Sequence, residues 1–365
     1  MEEITEMKHR TGSGFDADAI DHTTAADLAE VGSDKWTRYP GCIGAFIAEM
    51  DYGLAPCIQK AIDNACDHCK LGYIPGPWKQ RVAEACADWQ RSHYGWNVDP
   101  SIIRVVPDVL EAYEIFLREL VGAGNSVIVP TPAYMPFLSV PKLYDVNVIE
   151  IEMLQSGDAK TGEAQWLFDF DAIERAFAAG CHAFVLCNPH NPIGKVLTLE
   201  EELRLSDLAA QYDVRIFNDE IHAPFVFEGK HIPFPTISEQ AALQSMTATS
   251  ASKSFNIPGT KCAQVLLTNP ADRDMWAVKA EWSEHQTATI GAIATTAAYN
   301  EGDPWFQDAF AYVRRNIALF DEQMRERFAG IGYIKPQGTY IAWLDFGPLG
   351  IEDPATYFLR RRKWR

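Results

Sequence analysis

Two apolar patterns alternate through the middle of the chain. Short unbroken apolar runs at 126–129, 183–187, 214–217, 246–249 and 262–267 are mostly closed by polar or turn-forming residues: Pro130-Thr131-Pro132, Asn188-Pro189, Asn218-Asp219-Glu220, and Ser250 to Lys253. Between them, 171–179 and 199–212 carry apolar residues at helical spacing. The second has Thr198 placed to cap it and Glu200, Glu201 and Glu202 in its first turn, where acids favour the helix dipole. Continuous apolar strands alternating with helices predict an α/β fold with a mostly parallel, buried sheet between helices. In such sheets ligands bind beyond the carboxyl ends of the strands, where the polar residues of this chain gather.

Towards the C-terminus the pattern changes. Residues 305–328 read as one long helix, and 333–335 and 340–346 as strands around Pro336-Gln337-Gly338, which predicts a smaller α+β domain. The first 49 residues show little periodicity and are expected to pack with it. The expected division is a large domain over 50–275 and a small domain built from 1–49 and 276–365. No internal repeat is visible.

A chain of 365 residues with 47% hydrophobic and 22% charged residues has the composition of a globular protein with a large core. Its formal net charge of −18 argues against a nucleic-acid surface, which needs clustered Lys and Arg. The one basic cluster, Arg360-Arg361-Arg362-Lys363, reads as a solvated tail. No apolar stretch is long enough to span a bilayer, and Met1-Glu2-Glu3-Ile4 lacks the pattern of a signal peptide, so a cytoplasmic location and no membrane contact are expected. Eight cysteines suit a reducing compartment. Cys66 and Cys69 form a single C-x-x-C without a second pair or a histidine spacing, so no metal site is expected.

The candidate chemistry centres on Lys253, in Thr249-Ser250-Ala251-Ser252-Lys253-Ser254-Phe255-Asn256. A lysine among small hydroxyl residues at the end of a buried strand suits an amine that forms a Schiff base beside hydroxyls that hold a phosphate. Asp219, at the end of another strand, suits a carboxylate that keeps a pyridine nitrogen protonated; a helix cap or an ion pair is the plainer alternative. Together they point to pyridoxal 5'-phosphate (PLP). Ser250, Ser252 and Lys261 are phosphate candidates, although serines on a turn are often local caps. Pro107-Asp108-Val109-Leu110-Glu111 is expected to open a helix over 111–121 whose N-terminus offers free N–H groups to an anion, with Asp108 as its cap or as a cofactor contact. Cys187-Asn188-Pro189-His190-Asn191-Pro192-Ile193-Gly194 predicts a rigid turn from which an asparagine amide can donate to a cofactor oxygen. Tyr134 follows a strand end and can stack on a ring.

Over about residues 36–346 these segments resemble the fold-type-I PLP enzymes of the class I/II aminotransferase-like superfamily. The N-P-x-N-P-x-G turn, the D-E strand end and the S-x-S-K-S-F-N segment carry the resemblance, which implies a seven-stranded sheet. It implies Lys253 as the Schiff-base lysine, Asp219 as the pyridinium partner and Asn191 at the 3-oxygen. It places Ser250, Lys261 and the backbone at Val109 and Leu110 on the phosphate, and Tyr134 on the ring. Tyr73, in Gly72-Tyr73-Ile74-Pro75, matches a tyrosine that reaches the neighbouring subunit's phosphate, which implies a homodimer with shared active sites. Where aminotransferases have a tyrosine three residues after the aspartate, this chain has His222, a candidate donor to the cofactor oxygen. Phe46-Ile47-Ala48-Glu49-Met50-Asp51-Tyr52 resembles the W-V-A-D-M-D-F segment of the cystathionine β-lyase and C–S lyase branch. The resemblance thus implies a β-lyase acting on a small sulfur amino acid. An aminotransferase, or a PLP-binding regulator acting by protein contact, stands as the alternative. Family members continue past the position of Arg365 into a stretch carrying an arginine for the substrate carboxylate. No arginine in 357–365 sits in a matching motif, and the small domain is expected to be short of a strand and a helix.

Overall fold

The computed structural model describes residues 13–157 and 164–361, so Met1 to Ile4 and the tail from Arg362 onward lie outside the described residues. The strands are β1 (Ile103–Val106), β2 (Ser126–Thr131), β3 (Asn147–Glu152), β4 (Leu154–Ser156), β5 (Gln165–Leu167), β6 (Ala183–Cys187), β7 (Arg215–Asp219), β8 (Ser245–Thr249), β9 (Ala263–Leu266), β10 (Gly332–Tyr333) and β11 (Leu344–Asp345). Seven of them form one sheet in the order β1-β9-β8-β7-β6-β2-β3. The pairs β2–β3, β2–β6, β6–β7 and β7–β8 are parallel, and β9 runs against both of its neighbours. The mostly parallel sheet expected from the apolar runs is therefore present, with one reversed strand.

Both faces of the sheet are covered, which is why its strands read as unbroken apolar runs. Side chains of β6 and β7 alternate between two cores. Phe184, Leu186 and Ile216 pack with Phe177 and Leu205 on one side. Val185, Cys187 and Phe217 pack with Tyr113 and Phe116 on the other. The helix Leu199–Gln211 starts at Thr198 as its sequence predicts: the Thr198 hydroxyl accepts from Glu201 N, and the Glu201 carboxylate accepts from Thr198 N.

Register brings the polar strand ends together. Cys187 lies beside Asp219, and Asp219 beside Ala248. The turn that follows β6, the acid that ends β7 and the Ser250–Lys253 segment that follows β8 thus emerge side by side.

Three expectations need correction. The helix expected over 111–121 begins at Val109, because Asp108 Oδ1 accepts from Glu111 N and fixes the cap two residues earlier. It passes into a π-helical turn over Leu117–Val121. Ser252, read as a turn serine, lies with Lys253 in the short helix Ala251–Ser254, which Ser250 caps. The strands expected at 333–335 and 340–346 shrink to the two-residue ladder of β10 and β11. The intervening backbone is spent elsewhere: Gln337 N and Gly338 N donate to Gly194 O, and Thr339 N donates to Phe225 O. Gly194 sits at φ +70°, and a Cβ there would lie 2.3 Å from Pro336 Cβ, so this junction requires glycine. The N-terminal segment packs on the long helix Asp303–Arg327: Asp21 accepts from Tyr312 and Arg315, and Phe15 packs edge-on against Trp305 and Tyr312.

Candidate active site

Asp219 closes β7 as a buried carboxyl, 5% exposed. Burial pushes it up to about 7, opposed by a hydrogen bond from Ile221 N at 3.0 Å and by the charge of Lys253. Lys253 is shifted in the complementary sense. Burial lowers its ammonium, while Asp219 and Glu49 pull it back up. Its Nζ donates to Ala48 O at 3.1 Å. The amine and the acid are thus coupled in a largely desolvated space, where charge interactions are strong.

Two buried histidines, of which His222 feels the Lys253 charge, are neutral. His222 is 1% exposed, and neither ring nitrogen has a partner among the described residues. Burial, aided by the Lys253 charge, lowers it to about 3, so the ring is neutral and carries one free donor and one free acceptor. His190 is buried too, lowered by burial to about 4, and its Nε2 lies 2.8 Å from Pro132 O. Beside it, Asn188 is held between Glu202 Oε1, at 2.7 Å, and Leu197 N, at 3.1 Å. This fixes the root of the turn whose far side carries the half-buried Asn191.

The phosphate candidates form a second group. The helix Val109–Phe116 presents the N–H groups of Val109 and Leu110 in its first turn, since Asp108 takes only Glu111 N. Lys261 reaches the same place, its Nζ 2.9 Å from Asp108 Oδ2. Tyr134 lies nearby: burial first, then the charges of Asp219 and Asp108, push its phenol up. The Ser250 hydroxyl donates to Cys262 O at 2.9 Å and accepts from Ser252 N at 3.1 Å, which is the capping role open to it in the sequence. Ser252 is half-buried alongside. Tyr73 stands apart from this group, 92% exposed.

Residues with no assigned role in the sequence complete the site. Asn256 Oδ1 accepts from Met50 N, and its amide donates to Met50 O and Tyr52 O at 2.8 and 3.2 Å. The segment Ala48–Tyr52 is thereby fastened across Lys253. Tyr340 OH donates to the same Ala48 carbonyl as Lys253, at 3.0 Å, and its ring lies 5.8 Å from that of His222. Asp51 is engaged by Lys35 Nζ and Trp36 Nε1, both at 2.7 Å. The kinship of the Phe46–Tyr52 stretch to the lyase segment was the one signal in the sequence that could have found this strip.

The arrangement fits a phosphorylated pyridine aldehyde. Such a group needs an amine, a facing acid, donors for a ring oxygen and a helix N-terminus with a cation. Orphaned polar atoms on buried His222 mark an unfilled demand for partners at the right place.

These features define a fold-type-I α/β enzyme site, and the chain belongs to the class I and II aminotransferase family, whose model matches residues 47–361. Among its relatives, the cystathionine β-lyase of Corynebacterium glutamicum is 33% identical over 327 residues, covering 89% of this chain and 84% of that one. The cystathionine β-lyase PatB of Bacillus subtilis is 28% identical over 332 residues, covering 88% and 83%. A solved structure of a candidate PLP-dependent β-cystathionase of Corynebacterium diphtheriae superposes with a TM-score of 0.85 at 34% identity, covering 93% of this chain and 87% of that one.

Proposed function

We propose that the protein is a PLP-dependent carbon–sulfur β-lyase that cleaves cystathionine or a related cysteine S-conjugate to a thiol, pyruvate and ammonia, with one water consumed. The observation that carries the reading is the coupled pair of Lys253 and Asp219 beside the orphaned nitrogens of His222. The relatives named as cystathionine β-lyases supply the reaction type.

When bound, PLP supplies an electron-withdrawing ring that stabilises negative charge at the substrate Cα. Lys253 is the residue that carries it covalently. The Lys253 amine would take the Cα proton, and burial lowers its basicity. Asp219, as a carboxylate, would hold a proton on the ring nitrogen. Asn191 and neutral His222 would donate to the ring oxygen, and Tyr134 would cover the ring. Ser250, Ser252, Lys261 and the N–H groups of Val109 and Leu110 would hold the phosphate; for Ser250 this requires its hydroxyl to leave Cys262 O. The exposed Tyr73 serves the phosphate of a second copy, making the protein a homodimer with shared sites. The large domain spans 50–275, and 1–49 with 276–365 forms the small one. The free cysteines agree with a cytoplasmic setting, and among the described residues no helix is long and apolar enough to cross a membrane.

The test is covalent. Wild-type protein loaded with PLP and treated with borohydride gains the reduced adduct's mass on the peptide containing Lys253. Lys253→Ala gains none and releases pyruvate at least about 100-fold more slowly. An adduct retained by Lys253→Ala overturns the assignment.

A further inference from the structure

The turn that carries Lys253 grips a distant stretch of backbone at two points. Lys253, inside the short helix Ala251–Ser254, donates from Nζ to Ala48 O at 3.1 Å. Asn256, just past the end of that helix, holds the same stretch two residues further on. Its Oδ1 accepts from Met50 N at 2.9 Å, and its amide donates to Met50 O at 2.8 Å and to Tyr52 O at 3.2 Å. Asn256 is left-handed, at φ +55°, a conformation in which glycine is the residue at ease. The turn itself therefore needs no side chain there. What the side chain adds is three hydrogen bonds to a segment 204 to 206 residues away. Met50 and Tyr52 are seated by it against the core that contains Phe255. Ala48 O has a second donor, the Tyr340 hydroxyl at 3.0 Å, so the carbonyl that receives the lysine is itself fixed from two sides.

We infer that Asn256 is a positioning residue for Lys253: by clamping Met50 and Tyr52 it holds the Ala48 carbonyl against the amine and keeps that segment closed over it. The importance of this for turnover rests on the lyase reading, in which the amine moves the Cα proton. The clamp itself does not depend on that reading. Two opposed effects act on the amine through the segment. Ala48 O, as an acceptor, favours the ammonium, while exclusion of water disfavours it. Burial is the leading cause of the lysine's lowered basicity, against the charges of Asp219 and Glu49, and neutral His222 and the Tyr340 hydroxyl complete its surroundings. When the segment is freed, water takes over as acceptor and adds hydration. The net change then favours the ammonium, and a base that must be unprotonated to act is lost at neutral pH.

Asn256→Gly removes the clamp and leaves the left-handed backbone unstrained. Three readouts are taken on the full chain. Amide exchange of the PLP-loaded protein reads the clamp, and Met50 N–H is expected to exchange at least about 10-fold faster in the variant. Trace acetylation of the cofactor-free protein by acetic anhydride, followed over a pH series on the peptide containing Lys253, reads the amine. Its midpoint is expected to move to higher pH, towards that of the exposed Lys230, whose own profile is the same in both proteins. Pyruvate release from cystathionine by the loaded protein reads turnover, with kcat lower by about 10- to 100-fold and KM within about 3-fold. Unchanged exchange at Met50, or faster exchange with an unmoved Lys253 midpoint, overturns the inference. So does a variant that no longer folds by thermal unfolding, since Asn256 would then serve the fold as a whole. A shifted midpoint with no pyruvate from either protein counts against the lyase reading and leaves the clamp supported.

Discussion

Asp219 is a load on the fold until its partner arrives, and Asp219→Asn exposes this. The change is isosteric and keeps an oxygen to accept from Ile221 N, so it removes charge without removing the hydrogen bond that positions the side chain. In the folded, cofactor-free protein the carboxyl titrates at about 7 instead of 3.8, because burial disfavours the anion. The unfolded chain gives up this proton near 3.8 and the folded chain holds it to about 7. Stability is therefore unpenalised below the lower value and is lost as pH rises between the two. At about 1.4 kcal/mol per pH unit the ceiling is about 4 kcal/mol. The Lys253 charge already offsets part of the burial cost within that value. A net stabilisation of about 1–3 kcal/mol remains for cofactor-free Asp219→Asn at pH 8, shrinking towards zero at pH 4. Denaturant unfolding of both proteins at the two pH values measures it. PLP reverses the ranking: the loaded variant is the less stable one, with cofactor affinity lower by about 10- to 100-fold, the loss expected for one charge-assisted hydrogen bond. A cofactor-free variant equally destabilised at pH 4 and pH 8 would refute the reasoning, since the carboxyl would then be a structural acceptor and not a poised charge.

Two further predictions concern the frame around the site. Glu202 is fully buried, and burial together with the Glu220 charge pushes it up to about 9, so it is protonated at neutral pH. Stability is lost as pH rises from 4.5 towards 9; Glu202→Gln removes this slope and is expected to be about 1–3 kcal/mol more stable than wild type at pH 8 but not at pH 4, by urea unfolding. Gly194→Ala places a methyl 2.3 Å from Pro336 Cβ and 2.6 Å from Gly338 O at a left-handed residue. It should cost about 3 kcal/mol or more and lower PLP affinity by shifting the Asn191 turn, read by thermal unfolding and cofactor titration; an unchanged melting temperature would show that the junction is loose.

The central sheet was legible because its strands are buried on both faces, so each appears as an apolar run ending in polar residues. Ala183–Cys187 shows this most plainly, since its bounds match the apolar run read from the sequence. That Asp219 closes a buried strand and Lys253 follows one was legible for the same reason. The C-terminal strip was not. Tyr333 and Tyr340 have strand-like neighbours, but Gln337, Gly338 and Thr339 spend their backbone on Gly194 and Phe225, contacts more than a hundred residues distant in sequence. Nor could periodicity disclose that Asn256 fastens Met50 and Tyr52 over the lysine, because that bond joins segments whose separation only the fold removes. Ser250 shows the remaining ambiguity: one hydroxyl serves equally as a cap or a phosphate ligand, and here it caps.

The central claim is tested most directly by incubating the PLP-loaded protein with cystathionine and no keto acid, following pyruvate and free thiol over many turnovers. The account predicts that both appear steadily and in equal amounts. A single turnover that stops without pyruvate and resumes only when a keto acid is added would contradict it and identify an aminotransferase.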